Sequence, residues 1–557
     1  MTQRQPTDID ALAERFVAAT TQLQPENRVY RGSEGDKTAY QDYSPNGVAA
    51  LRELYATTRR ELGALKAVDD VDVVTKLDLD RVLELGVQRI DAGWYQRDLN
   101  NLASPLQEIR DIFDLMPTDG DEDWHDIAGR MANVPGAVDG YLAALREGLR
   151  RENTPAARQV EIGARQLAEF AAGAGFFHDL ATRGAAVSEG NATDLAAGAE
   201  AATEALVRLR TFLTDELGPA ARAEDAVGRD LYELASREFL GARVDLDEYY
   251  EWGIEELARM REAQEAVARE IVPGGTVAEA IAHLDASAEH RLHGTDELRA
   301  WMQRTADEAV AALDGTHFDI PEPVRRIECL IAPTQTGGIY YTGPSDDFSR
   351  AGRMWWSVPE GVTEFATWRE LTTVYHEGVP GHHLQIGQAV YLRDSLNSWR
   401  REAWTSGHGE GWALYAEQLM DHLGFLTPPA DRLGMLDGQR MRAARVVLDI
   451  GVHLGKPMPD GGKWSFESAL QFLTANVNMN APFVKFEVER YFGWPGQAPS
   501  YKIGQRVWED LRDEIAQIEG DSFDLKEFHH RALAIGGCGL DTLRTAVRRQ
   551  YAEVKSR

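Results

Sequence analysis

Apolar residues return every three or four positions through most of the first 320 residues of this 557-residue chain. The clearest examples are the segments IDALAERFVAAT, VAALRELYATTRRELGAL, ARQVEIGARQLAEFAAGAG and EYYEWGIEELARMREAQEAVAREI. This period, in segments rich in Ala, Leu, Glu and Arg, predicts successive amphipathic helices. We expect the helices to be separated by breakers at Pro105, Pro117, Pro135, Pro155 and Pro273-Gly274-Gly275.

The pattern changes after residue 323. RRIECLIAP predicts a strand, and GGIYYTGPSDDFSRAGRMWWSV predicts extended or hairpin structure. Helical patterns then return: Thr367 and Glu370 have the spacing of a capping box, and GEGWALYAEQLMDHLG and QRMRAARVVLDIGVHLG follow, with Gly424 as a helix stop. The chain is therefore predicted to be mainly α, with a small β element near residues 325–358.

Charge and aromatic residues are unevenly distributed. The net charge is −31, of which residues 321–557 contribute about −4 and residues 1–320 about −27. Nine of the thirteen Trp and eight of the fourteen His also lie in 321–557. We therefore predict an acidic helical lobe over 1–320 and a catalytic lobe over 321–557. Because no fixed-period repeat or low-complexity linker separates them, we expect one continuous fold.

Composition also limits the partners and the location. So acidic a surface repels phosphate backbones, so a nucleic-acid partner is not expected. No stretch approaches the roughly 18 consecutive apolar residues of a membrane span, and the start MTQRQPTDIDALAERF lacks the pattern of a secretory signal. We expect no membrane partner and a cytoplasmic location. The two cysteines exclude a disulfide framework and a Cys-rich zinc module, and no pattern indicates the oligomeric state.

The strongest chemical signal is a group of histidines and glutamates in two neighbouring helical segments. TVYHEGVPGHHLQ contains His376, Glu377, His382 and His383, and GHGEGWALYAE contains His408, Glu410 and Glu417. A catalytic zinc takes three protein ligands and leaves one position for water. A glutamate next in sequence to a ligand histidine can act as general base, as in the H-E-x-x-H helix.

The spacing departs from that helix. The fourth residue after His376 is Pro380. On a straight helix His382 would lie about 120° off the His376 face, and His383 would lie roughly 10.5 Å along the axis, too far to share one ion. Pro380 and Gly381 predict a break that brings a histidine back. From the residues alone, metal ligation and ordinary packing both remain open, and the irregular spacing counts against ligation.

Several ordered blocks together resemble a known family. HEGVPGHHLQ, EGWALYAE, RMRAARVVLDIGVH, RYFGWPGQAPSYKIGQ and FHHRALAIGG, between about residues 370 and 545, resemble the DUF885 family, and RIDAGWYQRDLNNLASPLQEIRDIF matches it more loosely. These are bacterial zinc-peptidase-like proteins, similar to mostly helical gluzincins such as the oligopeptidases and carboxypeptidase Taq. The resemblance implies a two-lobed helical fold around a deep cleft, with zinc on the cleft floor.

The resemblance also implies a ligand set. One zinc per chain would be bound by His376, His382 and Glu410, with His383 in reserve and Glu377 as the general base. Glu417 lies two turns after Glu410 on nearly the same face. It is either a further ligand or, more in keeping with such sites, an outer carboxylate that orients a ligand histidine.

Three further residues are candidates for contacts with substrate or transition state. Tyr501 either packs or donates to a developing oxyanion. Of the adjacent pair His529 and His530, the resemblance favours His529 for polarising the intermediate, the alternative being a solvent-facing pair. Arg490 is either a structural ion-pair partner or a clamp for a substrate carboxylate.

Two pairs of residues complete the set of candidates. Asp449 and His453 are spaced i,i+4, which suits a structural hydrogen bond or an outer-shell role behind the metal. Tyr340 and Tyr341, in GGIYY, would present a strand edge to an extended peptide.

These observations predict a zinc-dependent metallopeptidase that hydrolyses short peptides. One alternative is a zinc amidohydrolase that acts on a non-peptide amide. The other is a non-catalytic helical binding protein with a degenerate metal site. No G-x-S-x-G motif occurs, which argues against an α/β-type serine hydrolase.

Overall fold

A computed structural model describes residues 4–171, 175–332 and 338–555. The protein is 70% helical with 5% strand, so the predicted mainly α fold is confirmed. Up to residue 313 the helices are α1 (Asp8–Leu23), α2 (Asn27–Arg31), α3 (Pro45–Ala64), α4 (Asp70–Asp91), α5 (Pro105–Asp111), α6 (Asp121–Arg150), α7 (Ala157–Phe170), α8 (Gly175–Val187), α9 (Ala192–Phe212), α10 (Arg229–Leu240), α11 (Leu246–Ile271), α12 (Val277–Ala286) and α13 (Gly294–Leu313).

The four predicted segments lie on α1, α3, α7 and α11, and the third runs on into residues 172–174, outside the described ranges. The later helices are α14 (Thr367–Glu377), α15 (His382–Tyr391), α16 (Ser398–Glu402), α17 (Ser406–His422), α18 (Pro429–Leu454), α19 (Phe466–Thr474), α20 (Ala481–Gly493), α21 (Ser500–Glu519), α22 (Leu525–Leu533) and α23 (Leu540–Lys555). Gly424, with φ +85°, follows the end of α17 as predicted. None of the described helices is apolar over a length that would cross a bilayer.

The prediction that Pro135 separates two helices is wrong. Pro135 lies inside α6, a helix of 30 residues. Proline in a helix interior costs about 3 kcal/mol. The residues around it, Met131, Val134 and Val138, are fully buried and belong to the same apolar core as α9. Burial of this face on both sides of the proline outweighs the local cost and keeps the helix continuous.

The predicted capping box at Thr367 and Glu370 is also wrong. Thr367 is already the first helical residue of α14, and the preceding Ala366 makes no side-chain cap. Ala366 is extended because it pairs with Arg291 in a two-stranded antiparallel sheet. The chain passes from strand to helix without a capping residue between them.

The predicted β element is confirmed. The strands in the described ranges are β1 (Arg291–His293), β2 (Ile327–Ile331), β3 (Ile339–Thr342), β4 (Gly352–Trp356) and β5 (Glu364–Ala366). β2, β4 and β3 form one sheet in that order, with β2 parallel and β3 antiparallel to β4. The strand pair β1–β5 was not predicted. Residues 333–337, including the first glycine of GGIYY, lie outside the described ranges.

The largest apolar core surrounds α17, α18 and α21 and includes Trp412, Val446 and Trp508, all fully buried. Where α17 crosses α21, a Cβ on Gly411 would lie 2.4 Å from the Gly504 backbone. Only glycine permits this approach, which sets the position of Glu410 one residue earlier. A second core lies among helices α5 to α9. The division into lobes at residue 320 stays a prediction.

Candidate metal centre

The two histidine segments are joined by a sharp turn over residues 378–381. α14 ends at Glu377 and α15 begins at His382, so the predicted break is confirmed. Within the turn, the Gly381 N–H donates to the Tyr375 carbonyl at 3.1 Å, and the His383 N–H donates to the Gly378 carbonyl at 3.1 Å. The chain doubles back on the last turn of α14.

Glycine is required at position 381. A Cβ there would lie 1.9 Å from the carbonyl oxygen of His376 and 2.4 Å from that of Tyr375. The absence of a side chain lets the start of α15 lie against the end of α14. The imidazole rings of His376 and His382 consequently lie 4.8 Å apart between centroids, at 85° to each other.

Three of the predicted ligands converge. Nε2 of His376 lies 3.2 Å, and Nε2 of His382 lies 3.5 Å, from Oε2 of Glu410. Donor atoms on all three residues lie within 4.8 Å of one another. Two donors bound to one tetrahedral zinc at its usual bond lengths are about 3.3 Å apart. The spacing and the two-imidazole, one-carboxylate donor set therefore suit a zinc ion.

His383 points away from this cluster. Its Nε2–H donates to the Val324 carbonyl at 2.7 Å, and its Nδ1 accepts from the Tyr341 hydroxyl at 2.8 Å. Burial lowers the pKa of His383 to about 4, which keeps the ring neutral. Both ring nitrogens are engaged, so the structure groups His382, rather than the reserve candidate His383, with His376.

Glu417 lies behind His376, on the side away from Glu410. Its Oε1 accepts from His376 Nδ1 at 2.7 Å and its Oε2 accepts from the Thr372 hydroxyl at 2.6 Å. The side chain is 1% exposed. A proton held on Nδ1 leaves the lone pair of Nε2 directed at the cluster, so this geometry matches the orienting alternative for Glu417 rather than the reserve-ligand one.

The electrostatics of the cluster favour a cation. Burial alone would lower the pKa of His376, but hydrogen bonds to Glu410 and Glu417 raise it to about 10. Burial would raise the pKa of Glu410, yet hydrogen bonds to His376 and His382 hold it well below its usual range. Burial raises the pKa of Glu377, with the nearby His382 and His376 opposing it. The three carboxylates around the two imidazoles, of which Glu410 is partly exposed, leave an excess of negative charge that a divalent cation would balance.

Tyr501 lies at the start of α21, near this cluster. Burial raises the pKa of its phenol, and the charge of Glu410 adds to the rise. The Arg445 guanidinium lies 5.1 Å from its ring centroid. Arg490, also nearby, is paired with Glu487 at 2.9 Å. This ion pair matches the alternative in which Arg490 is a structural residue rather than a clamp for a substrate carboxylate.

Asp449 and His453 belong to a separate buried network. Asp449 accepts from the Tyr232 hydroxyl at 2.6 Å and from the Gly496 N–H at 2.9 Å. His453 Nε2 donates to the Tyr491 carbonyl at 2.8 Å. Among the described contacts, none joins these two residues to each other or to the three candidate ligands. The structure thus gives them a packing role rather than the expected outer-shell position.

None of the described contacts of His529 is with the three candidate ligands. It is 1% exposed, stacks on Phe318 at 4.9 Å, and shares a hydrogen bond of 2.8 Å between its Nε2 and the Tyr415 hydroxyl. Burial lowers its pKa to about 3. Trp412 lies beside it, and the indole of Trp412 donates to the Pro380 carbonyl in the turn. Any influence of His529 on the cluster would pass through Trp412 rather than by direct contact.

The strand edge next to the cluster is β3. Tyr340 is 39% exposed and stacks on Trp355 at 6.2 Å. Tyr341 points inward to His383, and the charge of Glu377 contributes to the raised pKa of its buried phenol. Among the described strands β3 is an outer strand of its sheet, and an outer strand offers backbone groups that can pair with an extended chain.

Trp404 is a neighbour of the cluster that the sequence analysis missed. Its ring lies 5.6 Å from that of His382 and it is 52% exposed. It also packs against Gly409, where a Cβ would lie 2.2 Å from the indole. The feature of the sequence that could have indicated Trp404 is its position six residues before Glu410, just ahead of α17.

Comparison with solved structures finds the same fold in two bacterial proteins, both described as putative lipoproteins. One, from Colwellia psychrerythraea, has a TM-score of 0.86 and 21% identity over 98% of this chain and 99% of its own. The other, of unknown function, from Shewanella oneidensis, has a TM-score of 0.75 and 17% identity over 97% and 99%. No curated protein matches the chain. The bacterial family of unknown function DUF885 matches residues 25–547, and the chain therefore belongs to the DUF885 family.

Proposed function

We propose that this protein is a zinc-dependent metallopeptidase that hydrolyses short peptides. The observation on which this rests is the convergence of His376 Nε2, His382 Nε2 and Glu410 Oε2 at 3.2 and 3.5 Å. Two histidines and one glutamate form the donor set of well-known catalytic zinc sites. A bound zinc would act as a Lewis acid that polarises the scissile carbonyl. It would also lower the pKa of water, so that hydroxide is available as the nucleophile near neutral pH.

The residues around the cluster have distinct roles in this proposal. The Glu377 carboxylate accepts the proton of the attacking water and returns it to the nitrogen of the leaving amine. Burial raises the pKa of Glu377, which helps the side chain to hold the proton between the two transfers. The Tyr501 hydroxyl donates to the oxygen on which negative charge develops. Glu417 holds His376 in the tautomer that directs Nε2 inward.

The free edge of β3 supports the choice of a peptide substrate. Backbone N–H and C=O groups at an outer strand pair with an extended chain irrespective of its side chains. Tyr341 on this strand contacts His383, the residue next in sequence to the candidate ligand His382. We further propose that the substrates are short peptides, that nucleic acid and membrane are not partners, and that the protein works in the cytoplasm.

The test combines metal analysis with peptide turnover. Protein purified without chelators should contain about one zinc per chain. Glu377→Gln should keep the zinc but lose about 10²–10⁴-fold in turnover of a mixed peptide library. Glu370→Gln is the matched control, because Glu370 lies on α14 seven residues before Glu377 and outside the cluster; it should turn over peptides like the wild type.

Different outcomes separate the alternatives. Zinc-loaded Glu377→Gln that cleaves peptides as fast as the wild type would eliminate the assigned base. Turnover of small amides without turnover of any peptide would favour the amidohydrolase. Protein that binds no zinc and cleaves nothing would favour the non-catalytic binding protein.

A further inference from the structure

A cavity of about 460 Å³ lies among the helices of the acidic part of the chain. Its walls come from α1, α3, α4, α5, α6 and α10, from the segments 41–43 and 94–98, and from Trp404 and Thr405. The volume falls within the range of roughly 300–1,000 Å³ found for small-ligand sites. Asp98 and Glu108 in its lining belong to the segment RIDAGWYQRDLNNLASPLQEIRDIF, for which the sequence predicts no role.

Trp404 is a wall shared by the cavity and the candidate metal centre. The same indole that lines the cavity lies 5.6 Å from the His382 ring. The next lining residue, Thr405, directly precedes α17, the helix of Glu410. A ligand in the cavity would therefore be separated from the cluster by the side chain of Trp404.

The two arginines that line the cavity are already paired. Arg81 contacts Asp78 at 3.0 Å and donates to the Thr405 hydroxyl at 3.3 Å. Arg89 forms an ion pair with Glu238. Arg89 also lies close enough to Asp98 for its charge to oppose the rise in the pKa of that carboxyl.

Three lining carboxylates remain: Asp42, which accepts from the Ser44 N–H, and the pair Asp98 and Glu108. Neither member of that pair takes part in any ion pair in the described parts of the chain. Burial raises the pKa of Asp98 to about 6 and that of Glu108 to about 7, and the charge of Asp98 adds to the rise in Glu108. Four carboxylates and two arginines line the cavity, and this excess of acidic groups attracts a cation.

Aromatic side chains flank these carboxylates. The Tyr141 hydroxyl donates to the backbone carbonyl of Asp98 at 2.6 Å, and the phenol of Tyr43 lies close enough to Glu108 to respond to its charge. Tyr55, Trp94 and Trp404 line other parts of the wall. Carboxylates combined with aromatic faces are the chemistry that recognises an organic ammonium group.

We infer that this cavity binds a primary ammonium group of the peptide substrate, with Asp98 and Glu108 as its counter-charges. The source of the group is either the amino terminus or a lysine side chain. This inference rests on the proposed peptidase function for the identity of the ligand, but the cation site is defined by the cavity itself.

A binding experiment tests the cavity without relying on activity. Hexylammonium and the uncharged hexanol are titrated into the full-length zinc-loaded protein and followed by calorimetry. The wild type should bind hexylammonium in preference to hexanol. Asp98→Asn/Glu108→Gln should weaken that binding by about 10–100-fold, the range for hydrogen bonds to charged groups. Glu53→Gln, on an exposed site of α3 outside the cavity, is the matched control and should bind like the wild type.

Wild-type protein that does not prefer hexylammonium, or a double variant that binds it equally well, overturns the inference. Peptide pairs then identify the source of the amine. A fall in kcat/KM on acetylation of the amino terminus assigns the cavity to that group, and a fall on replacing lysine by norleucine assigns it to the side chain. If peptides are cleaved and neither change lowers kcat/KM, the inference is wrong although the peptidase proposal stands. Hexylammonium binding without cleavage of any peptide refutes the peptidase proposal instead.

Discussion

Replacing Gly381 by alanine introduces a methyl group into the turn that joins α14 to α15. The added Cβ would lie 1.9 Å from the His376 carbonyl oxygen, whereas Cβ contacts under 3.0 Å are essentially never observed. Because the opposing atom belongs to the backbone, a change of rotamer cannot relieve the overlap. To bring this contact from 1.9 Å to the 3.0 Å limit, the two chain segments must separate by at least about 1 Å.

This separation acts directly on the cluster, since His382 follows Gly381. Zinc sites accept ligand distances within about 0.2 Å of the usual values, so a displacement of this size removes His382 as a ligand. Changes behind a ligand typically cost 10–100-fold in metal affinity, and loss of a ligand should exceed about 100-fold. Overpacking of this kind should also lower the free energy of unfolding by about 1–3 kcal/mol.

Zinc affinity is measured by competition with a chromophoric chelator, and stability by urea unfolding. Gly63→Ala is one control, because a Cβ at that helical position meets nothing within 4 Å. It should leave zinc affinity unchanged and raise stability by about 0.5–1 kcal/mol. Gly148→Ala, whose Cβ would lie 2.4 Å from the Gln96 carbonyl, should lower stability without changing zinc affinity. Wild-type zinc affinity in Gly381→Ala would refute the argument that this turn builds the site.

Three further predictions follow from other contacts. Glu417→Gln removes the charge that orients His376 and should weaken zinc binding by about 10–100-fold in the same chelator competition. Tyr501→Phe should keep the zinc and lower kcat for peptides by about 10²–10³-fold, as for other oxyanion donors, with little change in KM. Burial raises the pKa of Asp449 to about 7, so the stability contributed by its protonated form is complete below about pH 4 and is lost as the pH rises to about 7. Asp449→Asn does not ionise, and its unfolding free energy should rise relative to that of the wild type by up to about 4 kcal/mol between pH 4 and pH 8.

Each of these three predictions has a control variant and a result that would contradict it. Glu370→Gln should bind zinc like the wild type, and equal affinity in Glu417→Gln would show that the outer carboxylate is dispensable. Tyr391→Phe, at an exposed tyrosine, should leave kcat unchanged; an unchanged kcat in Tyr501→Phe would remove that residue from the mechanism. For Asp449→Asn, a stability difference from the wild type that is the same at pH 4 and pH 8 would contradict the raised pKa.

Local pattern was sufficient where the structure follows from neighbouring residues. The amphipathic helices of the first part, the hairpin β3–β4 and the stop at Gly424 were all predicted, because hydrophobic periodicity and glycine conformation act within a few residues. The break after Glu377 was predicted for the same reason. Proline and glycine between two candidate ligands exclude a continuous helix whatever surrounds them.

Local rules failed where distant contacts decide the outcome. Pro135 should end a helix, yet apolar burial along α6 keeps that helix intact. The choice between His382 and His383 depends on Val324 and Tyr341, which lie 59 and 42 residues from His383 along the chain. The sequence contains no sign of these contacts of His383. The choice of His382 as the second ligand therefore rested on the family resemblance.

The sequence by itself determined that the protein is mainly helical, that its negative charge lies largely in the first 320 residues, and that a kink separates His376 from His382. Only the tertiary structure decided which side chains meet. It brings Glu410 to the two histidines, puts Glu417 behind His376, and leaves His529, Asp449 and His453 elsewhere. The physical reason is that local periodicity specifies which face of a helix is buried, whereas convergence on a common point requires helices remote in sequence to pack in one arrangement.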